Sequence, residues 1–482
     1  MVRLFAVVAL LLALAPAAQA ASAASVPVTP PPPEHRADTS LTTYVQRSQP
    51  FKIGPYATLK ASAKVQPPEL SGAIVGMDAR LVDPDGKVIP QHVTMLHHLV
   101  FTNGGPDGGK PDPMCPKKTT RERFFGVSEE LRPLTLPPGY GYPTAPADRW
   151  SAPIMVMHHR GGTQEFFLEY RVTIDPRPVT PVKPYWLSAI PCAPDPQWTV
   201  PGRGSKEHRR SRLFAMPEAG RIVAVGGHLH GGANELILSQ PACRHRTLVT
   251  SKPFYGPADD KLYAVKPLLH EPDPKAISWW QSPTGYAFRK GEQLKVTAAY
   301  DNTRPHTRVM GISHLYVAPP LPGAPDVRCS PAPPDAIELG AEFERPRSVP
   351  PKVGLTLARV GKDGLARSTT RAEGTAREVE GPAATITVRD FSFSSTNLVV
   401  GLGATVRWRF PDDEQHDVTL ADGPVGFASP WLRGGGRYGK RFTEPGRYLL
   451  MCSLHSAYMS QVVTVRSTPP RPPRRDAGLP RR

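Results

Sequence analysis

Between residues 51 and 318 the chain alternates short apolar stretches with polar breaks. "HVTMLHHLVFTN", "QEFFLEYRVTI", "GRIVAVGGHLHGGANELIL", "EQLKVTAAYDN" and "RVMGISHLYVA" are rich in β-branched and aromatic residues, with Gly or Pro at their borders. That pattern predicts strands, and no stretch carries a convincing helical period. Two jelly-roll-like β-sandwich domains fit this span, 51–180 and 181–318, joined near "DPRPVTPVKP". From 319 to 382 the pattern lapses into "APPLPGAPDVRCSPAPPDAIE" and a polar, charged run, which predicts a Pro-rich, mostly flexible linker. Strand patterning returns over 383–467 in "ATITVRDFSF", "NLVVGLGATVRWRF", "GRYLLMCS" and "QVVTV". The predicted class is all-β, a pair of sandwiches followed by a third, compact one.

Composition supports short strands and adds a location. Among 482 residues, 59 Pro and 41 Gly disfavour long helices. The chain opens with Arg3, an apolar run from Leu4 to Ala15, and small residues ending Ala-Gln-Ala at 18–20. This reads as a secretory signal peptide over 1–20, followed by a disordered Ala/Pro/Ser leader over 21–50. The apolar run is short for a membrane span, and no later segment is apolar enough for one. A secreted or extracytoplasmic protein, in a cell envelope, periplasm or medium, is expected. Disulfides are then permitted, and Cys115, Cys192, Cys243 and Cys329 allow three pairings. The formal charge is +17. The basic residues are scattered and no aromatic–basic motif accompanies them, so no nucleic-acid partner is expected. The basic, disordered tail over 468–482 suits weak association with an anionic envelope surface.

The fifth cysteine, Cys452, stands apart in "YLLMCSLHSAYMSQVVTV" with His455 and Met459. A thiolate, two imidazoles and a weak axial thioether form the blue-copper electron-transfer set. His416, in "RFPDDEQHDVTL", is the second imidazole available in this domain. Residues 383–467 resemble a plastocyanin-type cupredoxin, through "VRWRF…H", "F-TEPGRYLLMCSLH" and the ligand loop closing on "QVVTV". The resemblance implies a Greek-key β-sandwich with one type 1 copper held by His416, Cys452, His455 and Met459. Asp417 and Leu454 stand where many relatives have Asn and Pro.

Three histidine clusters lie upstream: His97 and His98, His158 and His159, and His228 and His230. His228 and His230, two apart on a strand, project from one face. Adjacent His97 and His98 do so only where the strand is bulged, strongly twisted or ending. The order His-His, His, His-x-His, then Met310 in "RPHTRVMGISHLYV" resembles the copper type II, ascorbate-dependent monooxygenases, the peptidylglycine and dopamine hydroxylase family. That resemblance implies a copper A on His97, His98 and His159, preferred over His158. It implies an oxygen-binding copper B on His228, His230 and Met310, with the two centres facing each other across a wet cleft. It further implies ascorbate or a redox partner as electron source. Gly226 and His314 occupy positions where the peptide-amidating members carry the Arg and Tyr that hold a substrate carboxylate. His306 reads as an outer group near Met310. Two readings follow. In one, an exported copper oxidoreductase has a cupredoxin feeding a dicopper monooxygenase-like module that hydroxylates an unknown substrate. In the other, a non-enzymatic copper-binding electron carrier retains a degenerate module.

Overall fold

The computed structural model describes residues 40–54, 57–117, 121–160, 162–193, 196–200, 207–257, 259–265, 271–303, 306–323, 328–340, 358–368, 374–422, 424, 427, 429–452 and 459–469. The expected signal peptide, residues 21–39 of the leader, most of the basic tail, and His455 with Leu454 lie outside them; in the rest of the leader, expected to be disordered, Thr42–Arg47 forms a strand paired antiparallel with Gln164–Asp175. The fold is all-β. A three-residue 3-10 turn, Pro241–Cys243, is the one helical segment among the described residues. No helix there is long and apolar enough to cross a membrane.

The first sandwich sets a sheet centred on Gly72–Val82 and Gln164–Asp175 against a four-stranded sheet ordered Thr58–Ala63, Trp150–His158, Thr94–Asn103, Glu122–Ser128. Alternation drives the facing: Phe101, Phe124, Phe125, Trp150 and Tyr170 interleave in its core. The second sandwich pairs a five-stranded sheet (Lys183–Ser188, Gly311–Ala318, Gly220–Leu229, Trp279–Phe288, Ile337–Leu339) with a four-stranded one (His208–Ala215, Gln293–Tyr300, Ala233–Gln240, Arg246–Ser251). The two share apolar packing, since Trp279, Tyr316 and Ala318 join the core of the first. Polar ties cross the same seam. The Tyr316 hydroxyl donates to the Phe124 carbonyl at 2.8 Å, and the Tyr140 hydroxyl to the Pro283 carbonyl at 2.6 Å. The cysteines resolve to Cys115–Cys192 and Cys243–Cys329. The first of these joins a loop of the first sandwich to the segment just after the opening strand of the second.

Residues 319–382, expected as linker, contribute four short strands. Ile337–Leu339 extends the second sandwich beside Trp279–Gln281. Leu365–Ser368 then adds to the first, parallel to Phe51–Ile53, and Arg377–Val379 adds to the third. Edge strands need backbone partners more than side-chain cores, so an apolar pattern does not announce them. The third sandwich stacks a five-stranded sheet on a four-stranded one. Trp408, Phe410, Val406 and Tyr448 are buried between them, and the Trp408 indole N–H donates to the Gln461 amide oxygen at 2.9 Å.

Candidate metal centres

In the third sandwich, Cys452 follows the Gly446–Met451 strand and is the one cysteine among the described residues outside a disulfide. It is fully buried, as are His416 and, nearly, Met459. Backbone geometry fixes all three. The Cys452 N–H donates to the Met459 carbonyl at 3.2 Å, closing the ligand loop. His416 exchanges two backbone hydrogen bonds with Leu432 at 3.0 and 2.8 Å. Its Nδ1 lies 3.9 Å from the Cys452 sulfur. That separation fits two ligands of one first-row metal, whose bonds to nitrogen and sulfur are about 2.0 and 2.3 Å. Asp417 is buried and accepts from the Thr419 hydroxyl at 2.7 Å.

The upstream histidines gather differently. Leu96 faces Val156 and His98 faces Met155 across the strand pair, so His97 is an inserted residue. This bulge brings the His97 and His98 rings to 5.1 Å between centroids. The His228 and His230 Nε2 atoms meet at 3.0 Å. His230 also reaches across to His97, ring centroids 5.2 Å apart. One near-continuous histidine cluster therefore spans both sandwiches. His97, His230 and Asp273 form the one group of three His, Cys, Asp or Glu side chains among the described residues whose ligand atoms all lie within 4.8 Å. His159 is buried just past Trp150–His158, its N–H donating to the Val93 carbonyl at 2.9 Å; it does not close with His97 and His98 at that range. The neighbouring His158 has both ring nitrogens engaged, Nδ1 with Thr94 Oγ1 at 2.9 Å and Nε2 with the Gly162 carbonyl at 2.9 Å.

Carboxylates back these rings, unannounced by any spacing along the chain. His97 Nδ1 lies 3.1 Å from Glu129 and 3.6 Å from Asp273. His228 Nδ1 faces Glu130 at 3.7 Å, His230 Nδ1 faces Asp273 at 3.6 Å, and His306 Nδ1 meets Glu271 at 2.7 Å. A carboxylate at Nδ1 directs Nε2 of the same ring outward as a metal ligand. Burial, reinforced by Glu129, Glu130 and Glu271, holds the Asp273 carboxyl well above the usual carboxylate range. A cation among these buried acids would relieve that repulsion. The imidazoles and the Met310 thioether suit copper on donor chemistry.

Backbone features complete the second ligand set. The Tyr300 hydroxyl accepts from the His230 N–H at 2.9 Å and donates to the Met310 carbonyl, coupling the two segments. Gly232, at φ +85°, leaves room for the His306 ring, which a Cβ would strike at 2.2 Å. Gly226 is likewise forced, because a Cβ there would sit 2.3 Å from the Trp279 ring. The arginine of the amidating enzymes has no space in this chain. His228 and Met310 line a cavity of about 300 Å³ with His98, Glu130, Trp186 and His314. Burial, with the nearby His228 and Arg123, drives His314 well below the usual imidazole range.

No protein-family model matches this chain. It is similar to a probable copper-dependent oxygenase, M1, of Phoma sp. (strain ATCC 20986 / MF5453), at 22% identity over 291 residues, 55% of this chain and 69% of the relative. A second probable copper-dependent oxygenase, clz3, of Cochliobolus lunatus, is 25% identical over 243 residues, 47% of this chain and 71% of the relative. Among solved structures, an oxidised amicyanin variant matches 17% of this chain and 82% of its own at 25% identity, TM-score 0.17. A purple cupredoxin from Nitrosopumilus maritimus matches 17% of this chain and 99% of its own at 32% identity, TM-score 0.16. This all-β chain thus carries buried imidazole, thiol and thioether groups, and these two sequence relatives are named as probable copper-dependent oxygenases.

Proposed function

We propose that the chain is an exported copper oxidoreductase whose paired sandwiches hydroxylate an organic substrate with dioxygen and whose third sandwich supplies electrons. The observation that carries this is the meeting of His228 and His230 Nε2 at 3.0 Å while each ring presents Nδ1 to an acid. His97, His98, His228, His230 and Met310 would hold the oxygen-reacting copper, with His159 a further donor. His416, Cys452, His455 and Met459 would hold the electron-transfer copper. Copper, when bound, supplies the one-electron couple that dioxygen reduction requires.

The balance is R–H plus O2 plus two electrons and two protons, giving R–OH plus water. One C–H bond and the O–O bond break, while a C–O and new O–H bonds form. The electrons come from a redox partner or a small-molecule reductant such as ascorbate. The residues prepare the site. Glu129, Glu130 and Asp273 fix ring orientation, Tyr300 ties His230 to Met310, and the apolar cavity walls exclude water. Supporting the electron route, one buried apolar cluster contains Cys452 and Met459 together with Met95, Met155 and Met157, which lie on the strands leading to His97 and His159. A tethered donor acts at high effective concentration.

The test is a copper count with electron paramagnetic resonance on the mature chain, followed by dioxygen uptake with ascorbate and candidate substrates. An H228A/H230A variant should keep the type 1 signal and stop substrate-dependent uptake. Uptake that survives in this variant removes the oxygenase assignment. Copper binding without any uptake in the parent protein leaves the electron-carrier reading instead.

A further inference from the structure

The cavity beside His228 and Met310 carries information about what enters it. This inference rests on the oxygenase reading for the reaction, but not for the binding. The walls are mainly apolar: Leu99, Val127, Pro153, Ile154 and Ile312. Its volume, about 300 Å³, lies at the small end of ligand pockets, roughly 300–1,000 Å³.

Two buried nitrogens interrupt that surface. Trp186 and His314 sit opposite each other on paired strands, with ring centroids 3.9 Å apart and ring planes tilted by 31°. They are 4% and 7% exposed, and both line the cavity. Neither Trp186 Nε1 nor His314 Nε2 has a hydrogen-bond partner. A buried polar atom without a partner is costly, so a pair at one cavity wall reads as a recognition element awaiting a ligand. The indole N–H can only donate, whereas an imidazole nitrogen can donate or accept. They offer a polar oxygen on the ligand one obligate donor and one group that adapts.

Charge decides what kind of oxygen. The Arg123 guanidinium, which also lines the cavity, is matched by Asp112 at 2.7 Å and lies over the Trp186 ring. The remaining buried ionisable carboxylate on the wall is Glu130, whose Oε2 has no partner. Without a metal, the Glu130 carboxylate opposes an anion at this wall, and Lys60, which also lines the cavity, is exposed at its surface. We infer that Trp186 and His314 are the specificity residues of a site for a small, uncharged, largely apolar molecule bearing one ketone- or alcohol-type oxygen, and that the metal-free cavity disfavours carboxylates.

Three ring-matched probes test this by calorimetry on the full mature chain, with and without copper: acetophenone, ethylbenzene and benzoate. Acetophenone should bind about tenfold tighter than either of the others, the scale of one to two hydrogen bonds. Trp186→Phe and His314→Leu, which retain much of the shape, should each weaken acetophenone roughly three- to tenfold and leave ethylbenzene nearly unchanged. The inference is overturned if benzoate binds best to the metal-free chain, if ethylbenzene equals acetophenone, if no probe binds, or if Trp186→Phe, with parental thermal stability, keeps parental acetophenone affinity. The two readings fail separately. A chain that takes up no copper yet prefers acetophenone loses the oxygenase assignment and keeps the site. A chain that binds copper and consumes dioxygen without that preference loses only the site.

Discussion

The two candidate metal centres are built on opposite principles. Around Cys452 the donors sit within one sandwich, at a strand end and its loop, walled by Phe410, Val418 and Leu420. Around His97 and His230 they come from two sandwiches, and buried acids back the rings. The first arrangement holds its described donors on hydrogen-bonded backbone against an apolar wall, with Asp412 3.4 Å from His416 Nε2, which suits a metal that only changes oxidation state. The second concentrates negative charge that a cation must balance, and it opens on a cavity. Rigidity comes cheaply from a single fold, whereas a reactive centre with room for a substrate is placed at a seam.

Substitutions can break or sharpen that contrast. The largest effect is expected for Cys452→Ser: complete loss of the intense visible absorption of the type 1 centre, with the total copper count lower by one. If the colour persists, the thiolate is not a ligand. Asp273→Asn should weaken copper at the paired sandwiches about 10- to 100-fold, the usual effect of removing a group that orients a ligand. It should leave the visible band unchanged; competition with a chelator measures the first and absorbance the second. Removing the staple between sandwiches with Cys115→Ser/Cys192→Ser should lower unfolding free energy by about 2–5 kcal/mol, read from denaturant titration. Gly226→Ala should cost about 1–3 kcal/mol by overpacking against Trp279, seen as a lower thermal midpoint. Smallest is His158→Gln, expected to leave copper stoichiometry intact while His159→Gln reduces it; equal losses would show that the hydrogen bonds of His158 are not its main role.

Much of this contrast was legible in the chain. The period-two pattern in "TMLHHLVFTN" and "RIVAVGGHLH" marked the strands that carry the histidines. The pairing His97-His98 also stated its own condition, a bulge, which the register shift after Leu96 satisfies. The acids were not legible. Glu129 and Asp273 lie 32 and 176 residues from His97 along the chain; pairing of Thr94–Asn103 with Glu122–Ser128 brings the first to it, and the packing of one sandwich on the other brings the second. Tyr300 was hidden for the same reason, since "AAYDN" reads as an ordinary strand end. The disulfide pairing needed coordinates too, because four cysteines in a row carry no connectivity.

The strand Leu365–Ser368, hooked onto Phe51–Ile53, has a practical consequence. The polypeptide visits the second sandwich, returns to the first, and only afterwards enters the third. An expression fragment ended at Ala318 would strip an edge from each of the first two sandwiches and expose unpaired backbone prone to self-association. Ending it just past Ser368 keeps both edges covered, and gives crystallographers and enzymologists a better-defined piece to work with.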